Sequence, residues 1–433
     1  MKRLPYPILL LSMVFAILLG ACGPELAPNG SAQDGSPSAQ AGASPSAAFI
    51  AVSPTAGRTE LPTESIELLT ARTPVSTPDL AASTQTELDQ VALANPLPLQ
   101  LPEELGQAPL GSFVWSPDSK HFLAIAMGDE TLSVDQLGYS VSDLYLGNGE
   151  TGEVKFLAHN AGWPAWSRDG LSIYYLTGRA EGDLVRYDLY RADTTLANPE
   201  LVASNVGDAG AQPAVTELPD GRLVLFDQEY RVAIWDQGKL TTVADLVGLD
   251  AIRDKVANYS LAPDGHSLVV LGQDVPATLI DLATLTVEAQ LNGPIHFQNS
   301  VAWSADSSRL AYGTSDGLFV HDRAAKSEQT IANLATFGFP PDDPMVSFQV
   351  PVWSPDERFL LFAATSRDWV RRGILSVESG FQFVALADGT KWKAISDKAM
   401  TVAPNKARAI EFRRNLETGQ ESPTLVNLTW PHS

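Results

Sequence analysis

The chain has 433 residues, of which 29 are Lys or Arg and 51 are Asp or Glu, so its formal net charge at pH 7 is −22. A nucleic-acid partner needs a basic surface, and the acidic excess, with no Lys/Arg run anywhere, excludes one. Cys22 is the only cysteine, which excludes an intrachain disulfide and chemistry built on several thiols.

Residues 1–21 predict an export signal. Lys2 and Arg3 precede an apolar run over residues 8–19, and the chain then reads LGAC, ending at Cys22. This ending resembles the bacterial lipobox. The resemblance implies cleavage before Cys22, lipidation of that cysteine, and an extracytoplasmic protein held on the bacterial membrane or envelope by its acyl chains. The alternative, an uncleaved membrane helix, needs about 20 apolar residues, more than the run supplies.

Residues 22–108 predict a flexible tether. The segment is rich in Ser, Ala, Pro, Thr and Gly, with Phe49 as its one aromatic residue. Such a composition cannot bury enough apolar surface to fold alone, so we expect a disordered linker. The apolar stretch Pro96–Leu101 is the exception, since it has the length of a strand that a folded domain could borrow.

Residues 109–433 contain a repeat. A turn motif, Trp-Ser-Pro-Asp in its fullest form, recurs at intervals of 42 to 51 residues, and each copy precedes an apolar, strand-like run. Pro sets φ for the turn, Asp accepts backbone N–H groups, and Trp offers a large apolar surface to a neighbouring unit. A seventh, weaker copy has Asn405 in place of Asp. The residues assigned to these structural turns are Trp115, Asp118, Trp166, Asp169, Asp220, Asp264, Trp303, Asp306, Trp353 and Asp356.

The repeat predicts an all-β fold, a β-propeller of seven four-stranded blades, with six as the alternative. A four-stranded sheet cannot bury both faces alone, and stacking the sheets in a closed ring covers every face. The last unit has room for only three strands, so we expect Pro96–Leu101 to supply its outer strand. The Trp-Ser-Pro-Asp turns resemble those of the TolB-type propeller family, which is related to WD-repeat proteins.

Other short motifs do not indicate catalysis. The G-x-S-x-G match at residues 313–317 and the G-x-G-x-x-G match at 147–152 both lie between strand-like runs, without the helix that either chemistry requires. No two of the six histidines are spaced as metal ligands, and the acidic pairs at 129–130 and 342–343 are interpreted as solvated loop residues. We therefore predict neither a metal nor a cofactor.

Long connections on one face of the propeller are the candidate binding surface. The segment 366–373 combines an aromatic residue with three arginines in an acidic chain, as expected for contact with an acidic partner. The connection between the first two blades adds a histidine near a tryptophan, and the segment 333–349 adds Phe337 and Phe339. The candidate binding residues are Trp369, Arg367, Arg371, Arg372, Trp163, His159, Phe337 and Phe339.

These observations favour a non-catalytic, lipid-anchored module that binds a protein, a peptide or an envelope polymer. The alternative is a propeller enzyme of the lactonase or sugar-oxidising type, with a metal or quinone in the central channel. A third hypothesis, a recognition subunit for a separate peptidase, comes only from analogy with fused members of the family.

Overall fold

The computed structural model describes residues 80–105, 110–134, 137–181, 184–207, 215–229, 231–249, 256–272, 276–294, 301–314, 316–337, 347–365, 381–396, 398–412 and 423–431. Its strands form seven four-stranded antiparallel sheets, the blades of a β-propeller. The predicted fold class is confirmed, and the number of blades is seven, not six. The predicted signal segment, with Cys22, lies outside the described residues.

Each of the first three blades is a meander of consecutive strands that starts at the innermost strand and ends at the outermost. Blade 1 contains β2 to β5: Leu110–Trp115, His121–Val134, Leu137–Asn148 and Val154–Ala158. Blade 2 contains β6 to β9: Gly162–Trp166, Ser172–Glu181, Leu184–Asp193 and Glu200–Val206. Blade 3 contains β10 to β13: Val215–Glu217, Leu223–Phe226, Val232–Asp236 and Lys239–Thr242, with the short helix α2 (Val243–Val247) after it.

Blades 4 to 6 repeat the meander, and blade 7 completes it with an N-terminal strand. Blade 4 contains β14 to β17: Val256–Leu261, Ser267–Gly272, Pro276–Asp281 and Thr286–Pro294. Blade 5 contains β18 to β21: Val301–Trp303, Arg309–Gly313, Gly317–Asp322 and Ser327–Asn333, followed by helix α3 (Leu334–Phe337). Blade 6 contains β22 to β25: Ser347–Trp353, Phe359–Thr365, Phe381–Leu386 and Trp392–Ser396. Blade 7 contains β26 to β28 and β1: Ala399–Val402, Arg408–Phe412, Thr424–Thr429 and Ala92–Pro98.

The ring closes through β1, which pairs antiparallel with β28 in a register that places Ala92 opposite Thr429 and Pro98 opposite Thr424. The sequence predicted a closing strand at 96–101, whereas the strand begins at 92. Residues beyond it pass to blade 1, where the Gln100 N–H donates to the Gly152 carbonyl at 2.8 Å. One N-terminal segment therefore joins the last blade to the first.

The two faces of the propeller differ in their connections. In each antiparallel meander the first and third connections lie at one end of the strands, and the second connection and the link to the next blade lie at the other. We call the first end the turn face, because it carries the repeated turns, and the second end the loop face.

Four of the seven turns contain serine and share one hydrogen-bonding pattern, of which blade 1 provides an example. The Ser116 hydroxyl accepts from the His121 N–H at 3.0 Å and donates to Asp118 Oδ1 at 2.6 Å, and the same Oδ1 accepts from the Lys120 N–H at 3.0 Å. The position directly after the Asp, or after Asn405 in blade 7, has positive φ in all seven turns, between +56° and +85°. Only three of the seven residues at this position are glycine. The seven are Ser119, Gly170, Gly221, Gly265, Ser307, Glu357 and Lys406.

Tryptophan links neighbouring blades through its indole N–H as well as through packing. Each of three indoles donates to a backbone carbonyl of the previous blade, at the residue directly before the tryptophan position of that blade. The bonds, of 3.0 to 3.2 Å, join Trp115 to Thr401, Trp166 to Val114 and Trp353 to Ala302. Blade 4 has Leu261 in this place, and the Tyr259 hydroxyl contacts blade 3 instead, donating to the Val224 carbonyl at 2.7 Å.

Helix α1 (Leu80–Gln90) lies within the segment that composition assigned to the tether. Leu88 and the following Val91 are fully buried among blades 6 and 7, in a cluster that includes Phe359 and Trp430. Two such side chains suffice to dock a helix on an existing core, although the surrounding Ser, Thr and Ala residues could not form a core alone. The folded part thus extends at least to residue 80.

Polar contacts fix α1 to the turn face. The Arg358 guanidinium, in the turn of blade 6, donates to both carboxylate oxygens of Glu87, at 2.6 and 3.4 Å. Lys393 Nζ donates to the carbonyls of Asp89 and Val91 at 3.2 and 2.7 Å, which satisfies acceptors at the helix C-terminus. Burial at this contact lowers the pKa of Lys393. The chain therefore enters the propeller from its turn face.

Candidate functional site

Most of the candidate segments on the loop face are outside the described residues. This applies to Trp369, Arg367, Arg371 and Arg372, and to Phe339. Phe337 ends helix α3, and its side chain is likewise outside the described part. The hypothesis of a cationic, aromatic contact at 366–373 stays a prediction.

His159 lies on the loop face, in the connection between blades 1 and 2. Its side chain is 77% exposed, and its Nδ1 lies 2.9 Å from Asp143 Oδ1. The imidazole also packs against Phe156, with the ring centroids 4.7 Å apart. Asp143 is only 16% exposed and belongs to β4, so a strand of the blade positions the histidine. The arrangement presents an imidazole and an aromatic edge to solvent.

Trp163 has a different environment from the exposed one that the sequence suggested. Its φ of +49° belongs to a bulge between β6 and β7, where the register shifts between Gly162 and Ala165. The half-buried indole packs edge-on against Tyr187, with centroids 5.2 Å apart, and contacts hydrophobic clusters between blades 2 and 3 and between blades 3 and 4. The bulge turns this side chain inward, where it contributes to packing of three blades.

The sequence pattern did not predict a charged cluster that the structure shows on blade 2. Arg179 Nε donates to Asp188 at 3.1 Å, and its terminal nitrogens donate to Glu181 at 2.8 Å and to the Asn205 side chain at 2.6 Å. The hydrogen bonds that Arg179 donates to Glu181 and Asp188 raise the pKa of its guanidinium group. The cluster spans three adjacent strands near the loop face, and only the strand register shows that these residues meet.

Arg186 extends this cluster toward blade 3. Its NH1 donates to the Gln228 side chain at 3.3 Å, and its Nε lies 4.0 Å from a Glu181 oxygen. Two guanidinium groups and two carboxylates thus form a partly exposed network near the loop face. Such a surface combines charge with a fixed geometry, which suits recognition of a polar partner.

The two glycine motifs have packing explanations. A Cβ at Gly147 would lie 1.9 Å from the Phe122 ring, and one at Gly149 would lie 2.6 Å from the Trp115 ring. In the other motif, a Cβ at Gly313 would lie 1.9 Å from the Phe348 carbonyl oxygen. These glycines admit neighbouring groups at close range, a role that requires no ligand.

Within the described ranges, no three His, Cys, Asp or Glu side chains are grouped so that they could hold a metal ion. No helix in those ranges is long and apolar enough to cross a membrane.

A comparison with models of protein families found no match for this chain. A comparison with curated proteins also found none.

Proposed function

We propose that this protein is a lipid-anchored, extracytoplasmic propeller of the TolB type that binds a protein, a peptide or an envelope polymer through its loop face without catalysing a reaction. The sequence of residues 1–22 and the repeated turns support the anchoring and the family. The seven-bladed architecture suits a binding or scaffold module, because a rigid ring of sheets carries connections that vary at little cost to the scaffold.

The docking of α1 is the observation that carries the proposal. Glu87 and Lys393 hold the helix against the turn face, so the described part of the chain begins on that side of the propeller. Helix α1 therefore leaves the loop face uncovered. That face presents the His159–Phe156 pair and the arginine network of blade 2, both of which are partly exposed.

A crosslinking experiment in intact cells tests this assignment. We expect a specific crosslinked partner to be lost from the double variant Trp369→Ala, Arg371→Ala, and weakened in the double variant His159→Ala, Phe156→Ala. The matched control is the double variant Lys120→Ala, Lys155→Ala. It removes two exposed cations that are not among the candidate binding residues, and it should leave the partner bound. Equal recovery from all three variants would contradict binding at the loop face.

Two further measurements test the anchoring and the absence of catalysis. Cys22→Ala should abolish incorporation of labelled fatty acid and release the protein from the membrane fraction. Elemental and cofactor analysis of the purified protein should find no stoichiometric metal or quinone. A tightly bound metal at one equivalent would favour an enzyme of the lactonase type over a binding module.

A further inference from the structure

A cleft between blades 4 and 5 contains an unsatisfied buried histidine. Among the residues that the structure describes, three buried side-chain nitrogens have no hydrogen-bond partner: Arg191 Nε, Trp303 Nε1 and His321 Nδ1. His321 also lines a cleft of about 420 Å³ between the outer strands of these blades. A buried polar atom without a hydrogen-bond partner destabilises a protein, so a buried imidazole that lines a cleft calls for a partner from the cleft.

The histidine is positioned by the sheet of blade 5. His321 on β20 lies opposite Glu328 on β21, with Nδ1 and Oε1 3.9 Å apart, which is beyond a hydrogen bond. The same Oε1 accepts a 2.5 Å hydrogen bond from the Tyr312 hydroxyl. Leu310, the partner of His321 on its other side, packs against blade 4, so these side chains face that blade. The histidine side chain is only 7% exposed.

Blade 4 supplies the opposite wall of the cleft, through Glu288 and Gln290 on β17. Arg323 donates to both carboxylate oxygens of Glu288, at 2.9 and 2.8 Å, and to the Ser307 carbonyl at 2.8 Å. The charges of Arg323 and Glu288 therefore compensate each other, and the other two charged side chains that line the cleft, Glu328 and Lys326, have opposite signs. The cleft presents to a ligand the planar polar groups of Gln290, His321 and Glu328, together with the exposed Lys326.

We propose that this cleft binds a neutral polyhydroxylated ligand, a saccharide, through His321 Nδ1. A hydroxyl group both donates and accepts, so it can pair with the imidazole in either neutral tautomer. The Glu328 carboxylate and the Gln290 amide lie where further hydroxyls of the same ligand can bond. Because Glu288 and Arg323 neutralise each other, the cleft does not demand a charged ligand. Its volume falls within the range of about 300–1,000 Å³ for small-ligand sites.

The site is separate from the loop face, so it does not depend on the binding function proposed above. It lies at the rim, between outer strands, next to the turn that contains Arg323 and Lys326. A partner bound over blades 1 to 3 would leave it accessible. Failure of either proposal therefore leaves the other intact.

Ligand-observed NMR with the full chain tests the proposal. The probes are glucose, maltose and cellobiose as neutral saccharides, with glucosamine and glucuronate as their cationic and anionic counterparts. We expect a neutral saccharide to bind and to shift the Nδ1 resonance of His321 in ¹⁵N-histidine-labelled protein. A cellulose-derived pentasaccharide that binds more tightly than cellobiose would indicate a polymer as the source, and equal affinity would indicate a free sugar.

Variants assign the binding to this cleft. His321→Ala should weaken it about tenfold, the loss expected for one hydrogen bond to a buried group. Gln290→Ala, at an exposed position, should weaken it without disturbing the fold and keeps the test valid if His321→Ala unfolds. His266→Ala, on the neighbouring turn, is the matched control and should bind normally. Binding of glucosamine or glucuronate alone, or no shift at His321 with any probe, would overturn the proposal.

Discussion

The backbone N–H of Ala305, in the turn of blade 5, donates to a carboxylate oxygen of Glu357 in blade 6 at 2.6 Å. Five of the seven turns have Pro at the position of Ala305 and therefore have no N–H there. The other exception is Arg168, and its N–H donates to Glu217 of the next blade at 2.9 Å. A glutamate from the following blade thus satisfies the extra donor wherever proline is missing.

Removing this glutamate should destabilise the ring. Glu357→Ala loses the acceptor for Ala305 and also the contact of 2.5 Å with Arg309, so we expect the free energy of unfolding to fall by about 1–3 kcal/mol. Chemical denaturation followed by fluorescence measures this change. Glu229→Ala, an exposed carboxylate paired with Arg231, is a control that should change stability by less than about 1 kcal/mol.

A compensating pair sharpens this test. Ala305→Pro removes the donor, and Glu357→Gly places glycine at a position with φ of +56°, where it is favoured. The double variant should therefore be more stable than the sum of the two single variants predicts, by about 1 kcal/mol. Strict additivity would show that the two residues act independently.

Two tryptophans at equivalent positions should respond differently to loss of the indole N–H. Trp353 donates to the Ala302 carbonyl at 3.1 Å, whereas the buried Trp303 Nε1 has no partner among the described residues. Trp353→Phe should therefore cost about 1–2 kcal/mol more than Trp303→Phe in the free energy of unfolding. The cation–π contacts predict the same order of stability loss. The Arg309 guanidinium lies 4.5 Å from the Trp353 ring centroid, whereas that of Arg323 lies 5.8 Å from the Trp303 ring centroid. A larger loss at Trp303 would contradict the hydrogen-bond account.

Acid should destabilise the turns through their aspartates. Hydrogen bonds from the Ser308 N–H, the Ser308 hydroxyl and the Ser304 hydroxyl lower the pKa of Asp306 to about 2. In the unfolded chain the pKa is about 3.9, so the ionised side chain favours the folded state above that value. This contribution is lost as the pH falls from about 4 to about 2.

The matched variant for the acid prediction is Asp306→Asn, because the seventh turn shows that Asn can serve there: Asn405 Oδ1 accepts from the Ala407 N–H at 2.9 Å. Melting temperatures measured between pH 5 and pH 2 should fall less steeply for this variant than for the natural chain. An unchanged slope would mean that Asp306 does not contribute to the acid sensitivity.

The repeated turns allowed the sequence to predict the fold, because each Trp-Ser-Pro-Asp copy is local and marks one blade. Helix α1 could not be predicted in this way, since Leu88 and Val91 are its buried anchors and lie in a polar, Ser- and Thr-rich context. The cleft at His321 could not be predicted either. His321 and Glu328 pair within one hairpin, but the wall that encloses them comes from blade 4, and only the ring geometry brings it there.

The N-terminal boundary of the folded part can be tested with three shortened chains, beginning at residues 76, 92 and 109. The first keeps α1 and β1. The second loses Leu88 and Val91, whose burial contributes about 3–6 kcal/mol at about 1.5–3 kcal/mol for each side chain, so its unfolding midpoint should fall sharply. The third also loses β1 and leaves β28 as an unpaired edge, so we expect it to aggregate. Equal midpoints for the chains that begin at 76 and 92 would show that α1 contributes nothing to stability. A soluble, cooperative chain beginning at 109 would show that the ring closes without its N-terminal strand.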